Sequence, residues 1–294
     1  MKGIILAGGT GSRLFPSTRA VCKQLLPIYD KPMIYYPLSI LMLAGIREII
    51  IIVRPDDLAQ FQSLLGSGKP WGINIEYATQ TEPKGIPDAY LIAKDFLSGG
   101  PSILILGDNL FYGQELHITL RNLIRDMKGA TIFAYPVSDP ERYGVIVLDT
   151  DERPIKIVEK PKDFISNLAI PGLYIFDQRA VEFALNLKPS ERGETEITDI
   201  INQYLQIGDL EVAVFSRGVA WFDSGTSESL LQASTYVHSL QSRQGQGIAC
   251  LEEIAYRMGY IDINAVEEAY HRMQSSSYGE YLKTLLDFPP VLTS

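Results

Sequence analysis

The fold is decided by the segment Lys2-Gly3-Ile4-Ile5-Leu6-Ala7-Gly8-Gly9-Thr10-Gly11-Ser12-Arg13. A run of apolar residues leads directly into a loop with three glycines, which lets the backbone approach a ligand closely. Free amide N–H groups in such a loop form a concavity suited to phosphate oxygens. The segment therefore predicts a strand that ends at a phosphate-binding loop.

Apolar runs and segments of helical spacing alternate after this loop. The pattern predicts strands at Glu48–Val53, Ile73–Ala78 and Ser102–Leu106, with helices at Met33–Ala44, Asp56–Leu65 and Ile86–Phe96. This alternation is typical of βαβ units. Because Ile49–Val53 and Ile103–Leu106 are apolar on both faces, we expect them centrally in the sheet, covered by helices. The prediction is an α/β fold with a Rossmann-like, mostly parallel central sheet flanked by helices.

The rest of the chain is first rich in strands and then helical. A helix at Leu116–Met127 precedes predicted strands at Ala130–Val137, Gly144–Leu148, Ile155–Glu159 and Gly172–Phe176, and helices at Gln178–Leu187 and Glu196–Gln206. This half should extend the same sheet. Helical spacing at Ser227–Leu240, Ile248–Met258 and Ile263–Gln274 predicts a C-terminal helical appendage, and Asp287–Ser294 a loose tail.

Composition narrows the class of protein. The 294 residues are 46% hydrophobic, so the chain can bury a large core. A formal net charge of −9 with no basic stripe argues against nucleic acid as a partner. Cys22 and Cys250 are too few and too far apart for a disulfide framework or a zinc site. Because no apolar run approaches the ~20 residues that span a bilayer, we expect a soluble, cytoplasmic protein that does not bind membranes.

The glycine loop fits neither of two common phosphate-binding fingerprints. Leu14 stands where the dinucleotide motif has its third glycine, and no Lys-Ser/Thr pair follows as in a P-loop. The cations Arg13 and Lys23, with the amide of Gln24, nevertheless set the loop apart from a plain turn.

Several motifs carry a family resemblance. Leu6-Ala7-Gly8-Gly9-x-Gly11-x-Arg13-Leu14 followed by Lys23-Gln24-Leu25-Leu26-Pro27 resembles the entry motif of the sugar nucleotidylyltransferases, and Tyr29-Asp30-Lys31-Pro32-Met33-Ile34-Tyr35-Tyr36-Pro37-Leu38 is similar to their glucose-1-phosphate thymidylyltransferase branch. The resemblance continues through Gly107-Asp108-Asn109, Glu159-Lys160-Pro161, Arg192-Gly193-Glu194 and Trp221-x-Asp223-x-Gly225-Thr226. It covers nearly the whole chain.

Two carboxylates are candidate metal ligands. Asp108 closes an apolar strand at the sheet edge where open α/β folds bind ligands, although an Asx turn would also explain it. For Asp223, spacing alone favours an N-cap of the helix that follows. The resemblance implies instead that Asp108 and Asp223 hold Mg²⁺, a cation that takes one or two protein oxygens plus substrate phosphates.

The resemblance also implies separate roles in nucleotide binding, sugar binding and catalysis for the other site residues. Nucleotide binding is implied for Gly8, Gly9, Gly11, Ser12, Arg13, Lys23, Gln24, Gln80, Gly85 and Asp108. Sugar binding is implied for Asn109, Tyr143, Gly144, Glu159, Lys160, Ile170, Tyr174 and Arg192. Arg13, Lys23 and Lys160 would be catalytic. The nucleotide-binding half would be residues 1–128 and the sugar-binding half 129–226, within a catalytic domain of residues 1–240.

The implied reaction joins dTTP and α-D-glucose 1-phosphate into dTDP-glucose and diphosphate, the first step of dTDP-deoxysugar synthesis of the rhamnose type. A sugar phosphate is already an anionic nucleophile, so no base is needed, and His117, His238 and His271 lie outside the motifs. The alternatives are the same chemistry with UTP or another nucleotide or sugar 1-phosphate, and a non-catalytic nucleotide-sugar sensor. A nicotinamide-dependent oxidoreductase would need the glycine fingerprint that the loop lacks.

Three positions depart from the family pattern, and the C-terminus carries a further expectation. Ser12 replaces a usual Thr, Cys22 a usual Ser and Pro87 a usual Ala, and Pro87 is tolerable in the first turn of a helix. The resemblance implies a homotetramer with a second, regulatory nucleotide site. Residues 241–294 would serve assembly and regulation, and candidate regulatory residues are Gly113, Arg217, Glu253 and Arg257.

Overall fold

The computed structural model describes residues 1–288. Its strands are β1 (Lys2–Ala7), β2 (Pro27–Ile28), β3 (Lys31–Pro32), β4 (Glu48–Val53), β5 (Asn74–Thr79), β6 (Ser102–Leu106), β7 (Asn109–Gly113), β8 (Ala130–Pro136), β9 (Gly144–Leu148), β10 (Pro154–Glu159), β11 (Leu168–Ala169), β12 (Leu173–Phe176), β13 (Leu210–Val214) and β14 (Val219–Asp223). Its α-helices are α1 (Tyr35–Leu43), α2 (Leu58–Leu65), α3 (Asp88–Ile92), α4 (Lys94–Leu97), α5 (Leu116–Asp126), α6 (Arg179–Leu185), α7 (Ile197–Gln206), α8 (Ser227–Gln244), α9 (Leu251–Arg257), α10 (Ile263–Met273) and α11 (Ser277–Asp287).

One large sheet organises the described part of the chain. Its ten strands run in the order β10-β9-β11-β8-β12-β6-β1-β4-β5, with β13 paired to β8. The strands β6, β1, β4 and β5 are parallel, whereas β12 and most strands beyond it pair antiparallel. The predicted α/β fold with parallel central strands is confirmed, and the second half extends the same sheet as expected.

Each central strand contributes side chains to two hydrophobic cores, because successive side chains point to opposite faces of the sheet. Ile5, Ile51 and Ile105 lie in the core under α1, α2 and α5. Ile4, Ile50, Ile52 and Leu104 lie in the opposite core, under α3, α6 and α7. Helices thus cover both faces, which explains why these strands read as continuous apolar runs.

The C-terminal helices form the predicted appendage. Helix α9 packs on α1, and α10 and α11 pack on each other and on α9. Cys250, Val266, Tyr278 and Leu282 bury a small core of their own. Helix α8 runs without a break through residue 240, and the division of the chain at that residue stays a prediction.

Some elements differ from the predictions. The predicted helix Ile86–Phe96 is two short helices, α3 and α4, with Pro87 as the residue that precedes the first. The pair β7 and β14, the strand β13 and the helix α11 were not predicted. Helix α11 extends through Asp287, which was predicted to belong to a loose tail, and residues 289–294 of that predicted tail lie outside the described part.

One remaining expectation concerned membranes. Among residues 1–288, no helix combines the length and the hydropathy needed to cross a bilayer.

Candidate functional site

The candidate site lies at the carboxyl ends of the parallel strands. Strand β1 ends just before Gly8, β5 ends just before Gln80, and β6 ends two residues before Asp108. Parallel strands bring these ends to one edge of the sheet. The chain continues from β1 to β4 and β5 on one side and returns to β6 on the other, so a crevice opens beyond β1.

Two adjoining cavities occupy this crevice. The acidic cleft, of about 160 Å³, is lined by Asp108, Asn109, Tyr143, Gly144, Glu159, Lys160, Ile170, Tyr174 and Asp223, among others. The glycine-loop cavity, of about 370 Å³, is lined by Gly8, Gly9, Thr10, Gln80, Gly85 and Arg192, among others. Glu159 and Lys160 line both cavities. The structure therefore gathers most of the predicted site residues around Glu159 and Lys160, which form a wall shared by the two cavities.

The two candidate metal ligands are held side by side by backbone pairing. Strand β14 pairs antiparallel with β7 so that Asp223 is opposite Asn109, and the Ser224 N–H donates to the Asp108 carbonyl at 3.1 Å. Spacing alone favoured Asp223 as a helix cap, and that interpretation is wrong. The cap of α8 is Thr226, whose side chain forms a capping box with Ser229.

The carboxylates differ in electrostatic environment. Burial of Asp108 raises its pKa, but the Lys23 ammonium, which donates to it, and the Asn109 amide more than offset this and hold the pKa below its usual value. Burial and then the Asp108 charge raise the pKa of Asp223. Arg142 lies 3.5 Å from Asp223 and opposes that rise.

These carboxylates fit a particular kind of metal site. Within residues 1–288, no group of three or more His, Cys, Asp and Glu side chains is arranged to hold a metal ion. Two adjacent carboxylates, one of which raises the pKa of the other, still suit a divalent cation that completes its shell with substrate phosphates and water. Asp108 and Asp223 thus fit a Mg²⁺ ion that binds together with a nucleotide.

Glu159 and Lys160 lie where β10 ends against the shared wall. Lys160 has a backbone φ of 41°, which is costly for a residue with a side chain, and its N–H donates to the Tyr143 carbonyl at 3.0 Å. Burial and the charge of Glu196 raise the pKa of Glu159, whereas Lys160 and Arg192 lower it. The Arg192 guanidinium bridges Glu159 at 3.3 Å and Glu196 at 2.6 Å.

Two glycines shape the second cavity. A Cβ on Gly8 would lie 2.5 Å from Gln80 Oε1, so a side chain there would displace that amide. Gly85 has a φ of +105°, and a Cβ there would lie 2.0 Å from the Thr195 carbonyl oxygen. The backbone at Gly85 therefore requires glycine, whereas Gly8 leaves room for the Gln80 amide.

Other predicted nucleotide residues lie behind or beside the cavities. Lys23 and Gln24 are buried, Lys23 against Asp108, and Cys22 Sγ donates to Gln24 Oε1 at 2.9 Å. Gly11, Ser12 and Arg13 belong to the loop and short 3₁₀ turn after β1. The Arg13 charge acts on this site, because it lowers the pKa of both Asp223 and Tyr143.

The four candidate regulatory residues form two pairs. Gly113 ends β7 beside the turn that contains Arg217, since a Cβ on Gly113 would lie 3.1 Å from the Gly218 carbonyl oxygen. Arg257 donates to Glu253 at 2.7 Å on α9. Their regulatory role stays a prediction.

Among the unpredicted residues of the acidic cleft, three carry side-chain hydrogen-bond donors. Trp221 lines the cleft and donates to Asn109 Oδ1 at 2.7 Å, and Thr198 donates to Glu159 Oε2 at 3.2 Å. Trp221 stands in a motif that carried the resemblance, and Thr198 follows the motif Arg192-Gly193-Glu194 by four residues. Arg142 precedes the predicted pair Tyr143-Gly144, and its position next to that pair was the available signal.

Several curated proteins are similar to this chain over nearly its whole length. The chain is 53% identical over 284 residues to glucose-1-phosphate thymidylyltransferase of Xanthomonas campestris pv. campestris strain B100, covering 97% of this chain and 96% of that protein. It is 52% identical to the protein of that name from Neisseria gonorrhoeae, covering 97% and 99%. The protein of that name from Mycolicibacterium smegmatis is 47% identical, covering 98% and 99%.

Solved structures with this fold include two informative neighbours. A crystal structure described as a glucose-1-phosphate thymidylyltransferase from Bacillus anthracis in complex with sucrose has a TM-score of 0.75 and 39% identity, covering 80% of this chain and 94% of that chain. A UDP-glucose pyrophosphorylase complexed with UDP-glucose has a TM-score of 0.72 and 25% identity, covering 81% and 98%.

The family model described as nucleotidyl transferase matches residues 2–239, which include both cavities and both carboxylates. The chain therefore belongs to the nucleotidyl transferase family.

Proposed function

We propose that this protein is a glucose-1-phosphate thymidylyltransferase, which converts dTTP and α-D-glucose 1-phosphate into dTDP-glucose and diphosphate. The observation that carries the proposal is the shared wall. Lys160 lines both the glycine-loop cavity and the acidic cleft, so a nucleotide in one and a sugar phosphate in the other would meet at its ammonium group. Relatives at 46–53% identity over nearly their whole length bear this name.

The proposed reaction is a single in-line displacement. A phosphate oxygen of glucose 1-phosphate attacks the α-phosphorus of dTTP, the new P–O bond forms as the bond to the β-phosphate oxygen breaks, and diphosphate leaves. The nucleophile is already ionised, so catalysis consists of positioning and charge stabilisation. Lys160 aligns the two anionic reactants, and Arg13 stabilises charge on the leaving diphosphate. Lys23 keeps Asp108 ionised and in place.

Magnesium is the proposed cofactor. Asp108 and Asp223 would hold it, and it would neutralise charge on the phosphates of the bound nucleotide. The support is the fit of the two adjacent carboxylates and the electrostatic coupling between them.

The sugar is proposed to lie in the acidic cleft. Glu159 accepts hydrogen bonds from its hydroxyls, while Tyr143, Ile170 and Tyr174 offer apolar and aromatic walls to the ring. Asn109 holds the lining of the acidic cleft in place. Its Oδ1 accepts hydrogen bonds from the Gly172 N–H and from the Trp221 side chain, and its amide group donates one to Asp108.

Assembly, location and pathway belong to the same proposal. A homotetramer is part of the proposal because the chain resembles the glucose-1-phosphate thymidylyltransferases over nearly its whole length. Gly113, Arg217, Glu253 and Arg257 are the proposed regulatory residues. The cytoplasm suits the two buried thiols, Cys22 and Cys250, and the product would enter dTDP-deoxysugar synthesis of the rhamnose type.

One alternative has a specific observation in its favour. The likeness to a UDP-glucose pyrophosphorylase keeps UTP as a second candidate nucleotide. Diphosphate release should be measured with dTTP, UTP, dCTP, ATP and GTP against glucose 1-phosphate, galactose 1-phosphate and mannose 1-phosphate. The highest kcat/KM for dTTP with glucose 1-phosphate would support the proposal, and a higher value for UTP would replace it. No turnover with any pair and Mg²⁺ would leave a non-catalytic nucleotide-sugar sensor.

A further inference from the structure

The amide of Gln80 is held by a carboxylate on the neighbouring helix. Gln80 is 5% exposed and follows β5, and its Nε2 donates to Asp88 Oδ2 at 2.8 Å. The Gly85 carbonyl is a weaker partner of the same amide nitrogen, at 3.5 Å. Asp88 is the first residue of α3, where the helix dipole favours a carboxylate.

This contact has only one possible amide orientation. An ionised carboxylate accepts hydrogen bonds and cannot donate them, so the Gln80 NH₂ group must face Asp88. The Gln80 Oε1 must then face the opposite side, and it lies 2.5 Å from where a Gly8 Cβ would be. Gly8 and Gln80 both line the glycine-loop cavity, so the side of Gln80 presented there is an acceptor.

Gly85 adds a backbone donor to the residues of this cavity. Within residues 1–288, neither Gln80 Oε1 nor the Gly85 N–H has a protein hydrogen-bond partner. Gly85 lines the same cavity. The cavity thus offers one acceptor and one donor to a planar ligand.

We propose that Asp88 is a specificity-determining positioning residue, which fixes the Gln80 amide so that the cavity selects a nucleobase with a ring N–H beside a carbonyl and rejects cytosine. Thymine and uracil present N3–H beside a carbonyl, which complements Gln80 Oε1 and the Gly85 N–H. Cytosine presents an unprotonated N3 at that position, so two acceptors would face each other. The inference rests on the proposed function, because it assumes that a nucleotide base occupies this cavity.

Asp88→Asn removes the constraint at almost constant volume. The asparagine amide can either accept from Gln80 or donate to it, so the Gln80 amide can turn and present NH₂ to the base. Asp88→Glu keeps an acceptor-only group and is the conservative variant. Asp95→Asn, an exposed aspartate on α4, is the matched control for charge removal.

The readout is the ratio of kcat/KM for dTTP to that for dCTP, with the dTTP to UTP ratio as an internal reference. In Asp88→Asn the dTTP to dCTP ratio should fall about tenfold or more, because the penalty of an acceptor facing an acceptor is relieved. The dTTP to UTP ratio should stay as in the unaltered protein, and Asp88→Glu and Asp95→Asn should keep both ratios. If Asp88→Asn lowers kcat/KM equally for all nucleotides and leaves both ratios unchanged, the inference is overturned.

Binding measurements separate this inference from the proposed function. Calorimetric Kd values for dTTP and dCTP with Mg²⁺ can be obtained whether or not the protein turns over. Absence of thymidylyl transfer by the unaltered protein would reject the proposed function alone. A dTTP to dCTP preference in Kd that Asp88→Asn leaves intact would overturn the role of Asp88 alone.

Discussion

The ammonium group of Lys23 donates to the carboxylate of Asp108, 85 residues further along the chain. Lys23 is buried on the short turn after the glycine loop, and Asp108 lies where β6 ends. The pair therefore joins the segment after the glycine loop to the two candidate metal ligands, and it keeps Asp108 ionised. Several consequences of this charge arrangement can be measured.

The two carboxylates should have opposite effects on stability. The folded-state pKa of Asp108 is depressed, so its ionised form contributes stability above its unfolded pKa, and this is lost as pH falls through the folded pKa. The folded-state pKa of Asp223 is raised, so the stability that its protonated form contributes is lost as pH rises through the folded pKa. At neutral pH without metal, Asp108→Asn should reduce the free energy of unfolding by about 1–3 kcal/mol and so lower the melting temperature. Asp223→Asn should raise it slightly, and a lower melting temperature for Asp223→Asn would contradict this.

Lys160 should affect turnover far more than nucleotide binding. Replacing it with methionine keeps much of the apolar stem and removes the charge that aligns the two reactants. We expect kcat to fall on the order of 10²–10³-fold, with the dTTP affinity little changed. Lys162→Met is the matched control, since Lys162 is exposed and follows in the same loop. Equal losses in both variants would show that the effect is not specific to Lys160.

The acid limb of the pH profile should depend on the charges around Glu159. Glu196 raises the pKa of Glu159 and Arg192 lowers it. If ionised Glu159 binds the sugar, the acid limb of KM for glucose 1-phosphate should move to lower pH in Glu196→Gln and to higher pH in Arg192→Gln. Arg125→Gln, which alters an exposed pair with Asp126, should leave the limb in place. Shifts of both site variants in one direction would contradict the assignment.

Gly8→Ala should selectively weaken nucleotide binding. The added methyl group would lie 2.5 Å from Gln80 Oε1, so the amide or the loop must move. We expect KM for dTTP to rise about tenfold, the effect of one lost hydrogen bond in a closed site. KM for glucose 1-phosphate should change less. Gly218→Ala controls for the substitution itself, because its nearest neighbour would be Ser216 Oγ at 3.9 Å.

Periodicity predicted the parallel centre of the fold and missed the elements that depend on distant pairing. The strands β1, β4 and β6 are apolar on both faces, a local signal of burial between helices. Strands β7 and β14 pair mainly with each other, and their mixed composition has no such signal. This pairing also places Asp223 beside Asp108, which explains why spacing alone led to the incorrect cap assignment.

The resemblance was enough to name the site residues, but it did not predict the contacts between them. Spacing did not indicate that Lys160 lines two cavities or that Arg142 approaches Asp223. The hydrogen bond from Gln80 to Asp88 depends on how the short helix α3 packs beside β5. These relationships arise from tertiary structure, which brings together residues that are far apart in the sequence.

Direct transfer of the nucleotidyl group between reactants in the two cavities can be followed by product analysis. The protein should be incubated with Mg²⁺, dTTP and glucose 1-phosphate whose phosphate oxygens carry a heavy-oxygen label, and the products analysed by mass spectrometry. We expect dTDP-glucose that contains all of the label, with an equal amount of unlabelled diphosphate. Failure to form dTDP-glucose, or label in the diphosphate, would contradict it.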